Sequence, residues 1–190
     1  MITKKEISNS IIYIFETILS GIVSILFYIL LARYLTISEL GLYSLAIVYS
    51  SILAGIANFG LVSGYERNFF EIKLMDNQRV GALLFSVQLF SMISVLIFGT
   101  LAIYFKNYIS YNLLKDVDYS MLWVVVLIGT LNAEFSKFYM TYLRNTSHVV
   151  MYSALHLLQV IMNFSLSYLF LVILEKGVFW IGLSFMISHS

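Results

Sequence analysis

Cysteine and proline are both absent from this 190-residue chain, and charged residues make up only 11% of it. Without cysteine there is no disulfide framework, no thiolate metal site and no cysteine nucleophile. Without proline, a bend in any helix has to come from glycine or from a local hydrogen-bond defect. The shortage of charge is the most telling deficit, because soluble domains carry about 25% Asp, Glu, Lys and Arg. The net charge of +1 comes from scattered residues. They build no basic face, so no nucleic-acid partner is expected.

What fills the chain instead is apolar: 61% of it is hydrophobic and the mean hydropathy is +0.91. The apolar residues fall into runs at about 11–32, 41–63, 80–105, 120–143 and 150–174, with a shorter one at 178–190. About 20 residues rising about 1.5 Å each cross a hydrocarbon core of roughly 30 Å. Lipid cannot satisfy open backbone groups, and unbroken runs fit helices better than the short alternating strands of a barrel. The expected fold is an all-α integral membrane protein with a single transmembrane domain over residues 1–190. It has five complete spans and a truncated sixth, with membrane lipids as its surroundings. The start, Met-Ile-Thr-Lys-Lys-Glu-Ile, looks like a signal peptide but lacks a small-residue cleavage site, and so reads as a retained first span.

The loops are too short for a soluble domain, and their one close acidic pair, Asp116 and Asp118, reads as a solvated turn. With the N-terminus inside, the inner segments hold Lys4, Lys5, Arg67, Lys73, Arg79 and Arg144, against Arg33, Lys106, Lys115 and Lys176 outside. The excess of inner cations, led by Lys4 and Lys5 at the first span, favours a cytoplasmic N-terminus.

Three spans gather polar residues onto one helical face. The first carries Asn9, Tyr13, Glu16, Ser20 and Ser24. The fourth carries Thr130, Glu134, Lys137, Thr141 and Arg144, and the fifth Tyr152, His156, Gln159, Asn163 and Ser167. A charge facing hydrocarbon costs roughly 3 kcal/mol or more, so the stripes should face inward, onto a dry seam or a hydrated cavity. Glu134 and Lys137, at i and i+3, read either as a self-neutralising pair or as a site where Lys137 meets an anion. Glu16 reads as a structural hydrogen-bond acceptor or as a proton- or cation-coupling group, since a low dielectric favours protonation of a carboxylate. His156 has no metal-spaced neighbour in the sequence, and no metal or cofactor is expected. Gly60 and Gly64 form a GxxxG pair suited to close helix approach. Arg33 and Arg67, at span ends, either snorkel to the interface or clamp a phosphate. Most of the Tyr and Phe residues should form interfacial belts.

Leu31-Ala32-Arg33-Tyr34-Leu35, Ser38-Glu39-Leu40-Gly41-Leu42-Tyr43-Ser44-Leu45 and Asn58-Phe59-Gly60-Leu61 with Arg67 together resemble the segment joining the first two spans of bacterial polysaccharide-export flippases. These carry lipid-linked, O-antigen-type oligosaccharides and belong to the superfamily that also includes multidrug extruders and the peptidoglycan-precursor flippase. The specific likeness covers about residues 1–75. It implies part of the N-terminal lobe of a fold of 12 to 14 helices, working by alternating access on an undecaprenyl-pyrophosphate-linked glycan in the bacterial inner membrane. On this reading the chain is an N-terminal fragment, to be completed by a C-terminal lobe or a second copy.

The resemblance further implies cationic residues for the lipid-phosphate head and acidic residues for ion coupling. By helical face, or for Arg33 by its place in the matching segment, the candidates for binding the lipid-phosphate and glycan are Arg33, Arg67, Lys137, Arg144, Gln159 and Asn163. Those for ion coupling are Glu16 and Glu134. No catalytic residue is expected and the protein is not read as an enzyme. Two alternatives stay open: a multidrug extruder of the same superfamily, and a subunit of a membrane-embedded glycan polymerase.

Overall fold

The computed structural model describes residues 4–75, 77–114 and 119–190. Lys115, Asp116 and Asp118, and the side chains of Lys4 and Lys5, lie outside what is described. Apolar runs uninterrupted by proline form long helices: α1 (Lys4–Tyr34), α2 (Ile37–Asn58), α4 (Asn77–Tyr104), α6 (Ser120–Asn145) and α7 (Val149–Tyr168). Helix α7 runs on through a π-helical turn at Leu169–Ile173, and a shorter apolar helix, α8 (Val178–Ser188), follows. Five of these segments are long and apolar enough to cross a membrane, and α8 is the shorter sixth. The chain is an all-α integral membrane protein of multi-pass type.

Two helices form where the apolar runs end and loops are expected: α3 (Leu61–Met75) and α5 (Lys106–Leu114). The second apolar run, drawn as one span over 41–63, is interrupted. Phe59 (φ 49°) and Gly60 (φ 70°) both take left-handed backbone conformations, and Phe59 N–H caps α2 on Ile56 O at 3.1 Å. The bend therefore sits at a glycine, as a proline-free chain requires. Helix α2 starts with a capping box: the Thr36 hydroxyl accepts from Glu39 N–H, and Thr36 N–H donates to Glu39 Oε2 at 2.9 Å. This box ends the turn from α1 into α2, and it is the local reason for Glu39 in that segment.

Helix α6 is the axis of the bundle. It packs against α2, α4, α5, α7 and α8, burying Leu122, Trp123, Val124, Val126 and Leu127. Asn58 meets Glu134, Tyr65 meets Phe138 and Lys73 meets Asn145, so α2 and α3 run beside α6 in the same direction across the break. A second apolar core of Tyr65, Phe69, Val80, Val87 and Phe138 joins α3, α4 and α6. Helix α1 lies at the edge and packs mainly on α7. Outward it turns Ile11, Ile14, Phe15, Ile18 and Ile25, all exposed. Such a surface would aggregate in water and is what acyl chains solvate.

The GxxxG expectation is overturned. Gly60 lies in the break rather than in a helix, and a Cβ at Gly60 or Gly64 would meet nothing within 4 Å. The close approach is made by α6 and α8. A Cβ at Gly129 would fall 2.7 Å from Phe185 and 3.0 Å from the Met186 backbone, and one at Gly182 would fall 3.1 Å from Leu122 and Val126. Small residues let these two helices touch backbone to backbone.

Candidate functional site

The stripe on α1 docks against the stripe on α7. Tyr13 packs edge-on against Tyr152 with ring centroids 5.5 Å apart, and Tyr152 stacks on His156 at 6.2 Å. One turn further along α1, Glu16 is buried and its carboxylate accepts from His156 Nδ1. His156 is partly exposed. Beyond that pair the seam opens into a cavity of about 90 Å3 between Ser24, Phe27, Val160, Asn163 and His189. There Asn163 Oδ1 is buried without a hydrogen-bond partner. Hence Glu16 and Asn163 share a seam, the first satisfied within it and the second not.

Gln159, on the same face of α7 as His156 and Asn163, borders a second cavity. It lines a cavity of about 440 Å3 with Gln88 of α4, Ser136 and Tyr139 of α6, and His189 and Ser190 after α8. Apart from Ser188 the remaining wall is apolar and includes Met140 and Leu155. Amides, hydroxyls and an aromatic ring in an apolar wall suit a polar, uncharged group better than an ion. A space of this size is in the range of small-molecule sites.

The stripe on α6 makes two ion pairs. Lys137 pairs with Glu134 one turn back, and Glu134 Oε2 also accepts from Asn58 Nδ2 at 2.9 Å. Arg144 pairs with Glu66 of α3. The carboxylate of Glu134 is sheltered at 19% exposure, whereas Lys137 and Arg144 stay half exposed, at 55% and 50%. These cations are neutralised within the protein, although both can reach water.

The four candidate cations do not converge. Arg33 is exposed at the far end of α1, its guanidinium 6.0 Å from the ring of Tyr34. Arg67 is exposed on α3 at the opposite end of the bundle. Lys137 and Arg144 share α6 and are held by Glu134 and Glu66. Asn58, Gln88, Ser136 and His189 also belong to these sites, yet the helical-face argument does not mark them. Asn58 ends an apolar run immediately before Phe59-Gly60, which is a readable sign of a helix end. Gln88 and Ser136 are isolated polar residues whose shared cavity depends on the tertiary packing. Among the described residues no three His, Asp or Glu side chains gather as a metal site.

Comparison with known proteins finds no match: no family model, no curated protein and no solved structure is similar enough to the chain to identify its family.

Proposed function

We propose that the chain forms one helical lobe of an exporter that moves a lipid-linked oligosaccharide from the inner to the outer leaflet of the bacterial plasma membrane. The observation that carries this reading is the cavity of about 440 Å3 lined by Gln88, Ser136, Tyr139 and Gln159 in an otherwise apolar bundle. A sugar head dragged through hydrocarbon loses its water hydrogen bonds, at several kcal/mol for each unsatisfied group. Amides, hydroxyls and a stacking ring replace that water while the lipid tail stays outside. The resemblance at Leu31–Leu45 and Asn58–Arg67 supports the same reading. The task needs no covalent chemistry, since the barrier is one of solvation.

In this proposal Gln159 and Asn163 contact the glycan. Lys137 and Arg144, half exposed and held by carboxylates, exchange their partners for the pyrophosphate, and Arg67 attracts it at the cytoplasmic end. Arg33 marks the outer end. Glu16 and Glu134 couple transport to an ion gradient. A second lobe, or a second copy, closes the path and gives this lobe something to rock against. The test is deletion of the gene in its source cell, followed with a fluorescent lipid-linked glycan. Accumulation in the inner leaflet is expected, and unchanged translocation rejects the proposal.

One observation favours a multidrug extruder. The sheltered charges are the carboxylates Glu16 and Glu134, at 6% and 19% exposure, while their cationic neighbours reach water. Sheltered carboxylates at the helix seams suit a cationic cargo, and both lie outside the lining of the cavity of about 440 Å3. Growth with cationic dyes, with and without the gene, separates the readings: an extruder protects and a flippase does not.

A further inference from the structure

We infer that a small monovalent cation, Na+ in the first instance, binds at the break between α2 and α3, held by Asn58 Oδ1, the hydroxyls of Ser91 and Ser94 and the Glu134 carboxylate, in exchange for the Lys137 ammonium. These four side chains, with Ala54, Ala57, Val95 and Leu131, line a half-open cavity of about 10 Å3. That is close to the minimum that holds one water-sized occupant. Asn58 Nδ2 is spent on Glu134 at 2.9 Å, while Asn58 Oδ1 is buried and accepts no hydrogen bond. A buried unpaired amide oxygen is costly, and an occupant of the cavity removes the cost. Ser91 and Ser94 are themselves buried, at 8% and 9% exposure.

The donor set selects the occupant. All the groups offered are oxygens, which suits a hard cation, and a single carboxylate suits one positive charge rather than two. The C-terminal end of α2 adds to this. Its last carbonyls carry the negative end of the helix dipole, and left-handed residues follow in place of a further helical turn. Ends of interrupted helices bind ions in membrane transporters for this physical reason. Lys137 is the tethered competitor, since it occupies Glu134 Oε1 and is itself 55% exposed. When a cation enters, the ammonium swings to water and the net charge of the site is unchanged. The inference names the ion for the coupling role proposed for Glu134 and rests on that role, whether the cargo is a glycan or a drug.

The test is thermal unfolding of the purified full chain in detergent, titrated with NaCl against choline chloride at equal ionic strength. Sodium is expected to raise the midpoint of the wild type. In Lys137→Gln the half-saturating concentration is expected to fall roughly two- to fivefold, the range for removing a half-exposed competing ion pair. Asn58→Ala, Glu134→Gln and Ser91→Ala with Ser94→Ala are expected to lose the sodium response. If any of these fails to fold, the Lys137→Gln titration decides alone. Equal midpoints in sodium and choline for both wild type and Lys137→Gln would mean a water-filled cavity and overturn the inference. A sodium response that persists in Asn58→Ala and Glu134→Gln overturns it as well.

Discussion

At the scale of the residue, polar groups in a lipid-facing bundle are either paired or costly, and two side chains show both cases. Glu16 is buried with His156 as its partner across 140 residues of sequence. Removing His156 strands the Glu16 carboxylate, 6% exposed, in a place water reaches poorly, so His156→Ala is expected to destabilise the protein by about 1–3 kcal/mol. Glu16→Ala should cost less, because the His156 left behind is 40% exposed and meets water, and the double variant clearly less than the sum of the two. Denaturation of the purified variants in mixed micelles measures all three; strict additivity would show that the pair is not coupled. Tyr65 is the opposite case. Its ring is buried against Phe69 and Phe138, while its hydroxyl has no partner. Tyr65→Phe should therefore leave stability unchanged or raise it. Burial also pushes the Tyr65 phenol up to about 12, with Tyr142 adding to the rise. The unfolded chain then loses this proton first, near the ordinary value of 10, so the wild type loses stability as pH climbs from about 10 towards 12. The same unfolding series at alkaline pH should show a shallower fall for Tyr65→Phe.

At the scale of the element, the glycines that matter are those where backbones meet. Gly129→Ala places a methyl against Phe185 and the Met186 backbone and should cost about 1–3 kcal/mol by overpacking. Gly64→Ala has open space around it and should be neutral or slightly stabilising, because alanine favours helix over glycine. Comparing the two melting points tests the assignment, and equal losses would sink it. The contrast also explains what could be read from the chain. The five spans were legible because hydropathy reports transfer into lipid directly, and their ends fell within a few residues at α6 and α7. The interruption at Phe59-Gly60 was not, since a left-handed turn of two residues leaves the apolar run intact. Helices α3 and α5 were not, since they are too polar or too short to register as spans. For the candidate site, the stripes on α1 and α7 identified Glu16, His156 and Asn163 individually. That Glu16 meets His156 while Gln159 turns to another cavity depends on helix register, which a single sequence does not encode locally. The GxxxG spacing misled for the same reason: spacing alone says nothing about which face finds a neighbour.

At the scale of the whole molecule, helix directions assign the ends of the described helices to one of two sides. The end of α3, the start of α4 and the turn between α6 and α7 lie on the side of residue 4; the π turn and the Glu175–Gly177 link lie on the other. Among the described residues the first side carries Arg67, Lys73, Arg79 and Arg144, and the second Arg33, Lys106 and Lys176. This excess favours a cytoplasmic N-terminus, since cations near span ends resist translocation. The chain has no cysteine, so one engineered thiol gives an unambiguous signal. His148, in the turn between α6 and α7, and Lys176, before α8, are both exposed. In intact cells a membrane-impermeant maleimide is expected to label Lys176→Cys and spare His148→Cys, with both labelled after the membrane is opened. The reverse pattern would turn the molecule over. It would then place Arg67 and Arg144 at the outer leaflet, where they could not collect a phosphate-bearing lipid from the cytoplasmic side, and the proposed direction of transport would fail with the orientation.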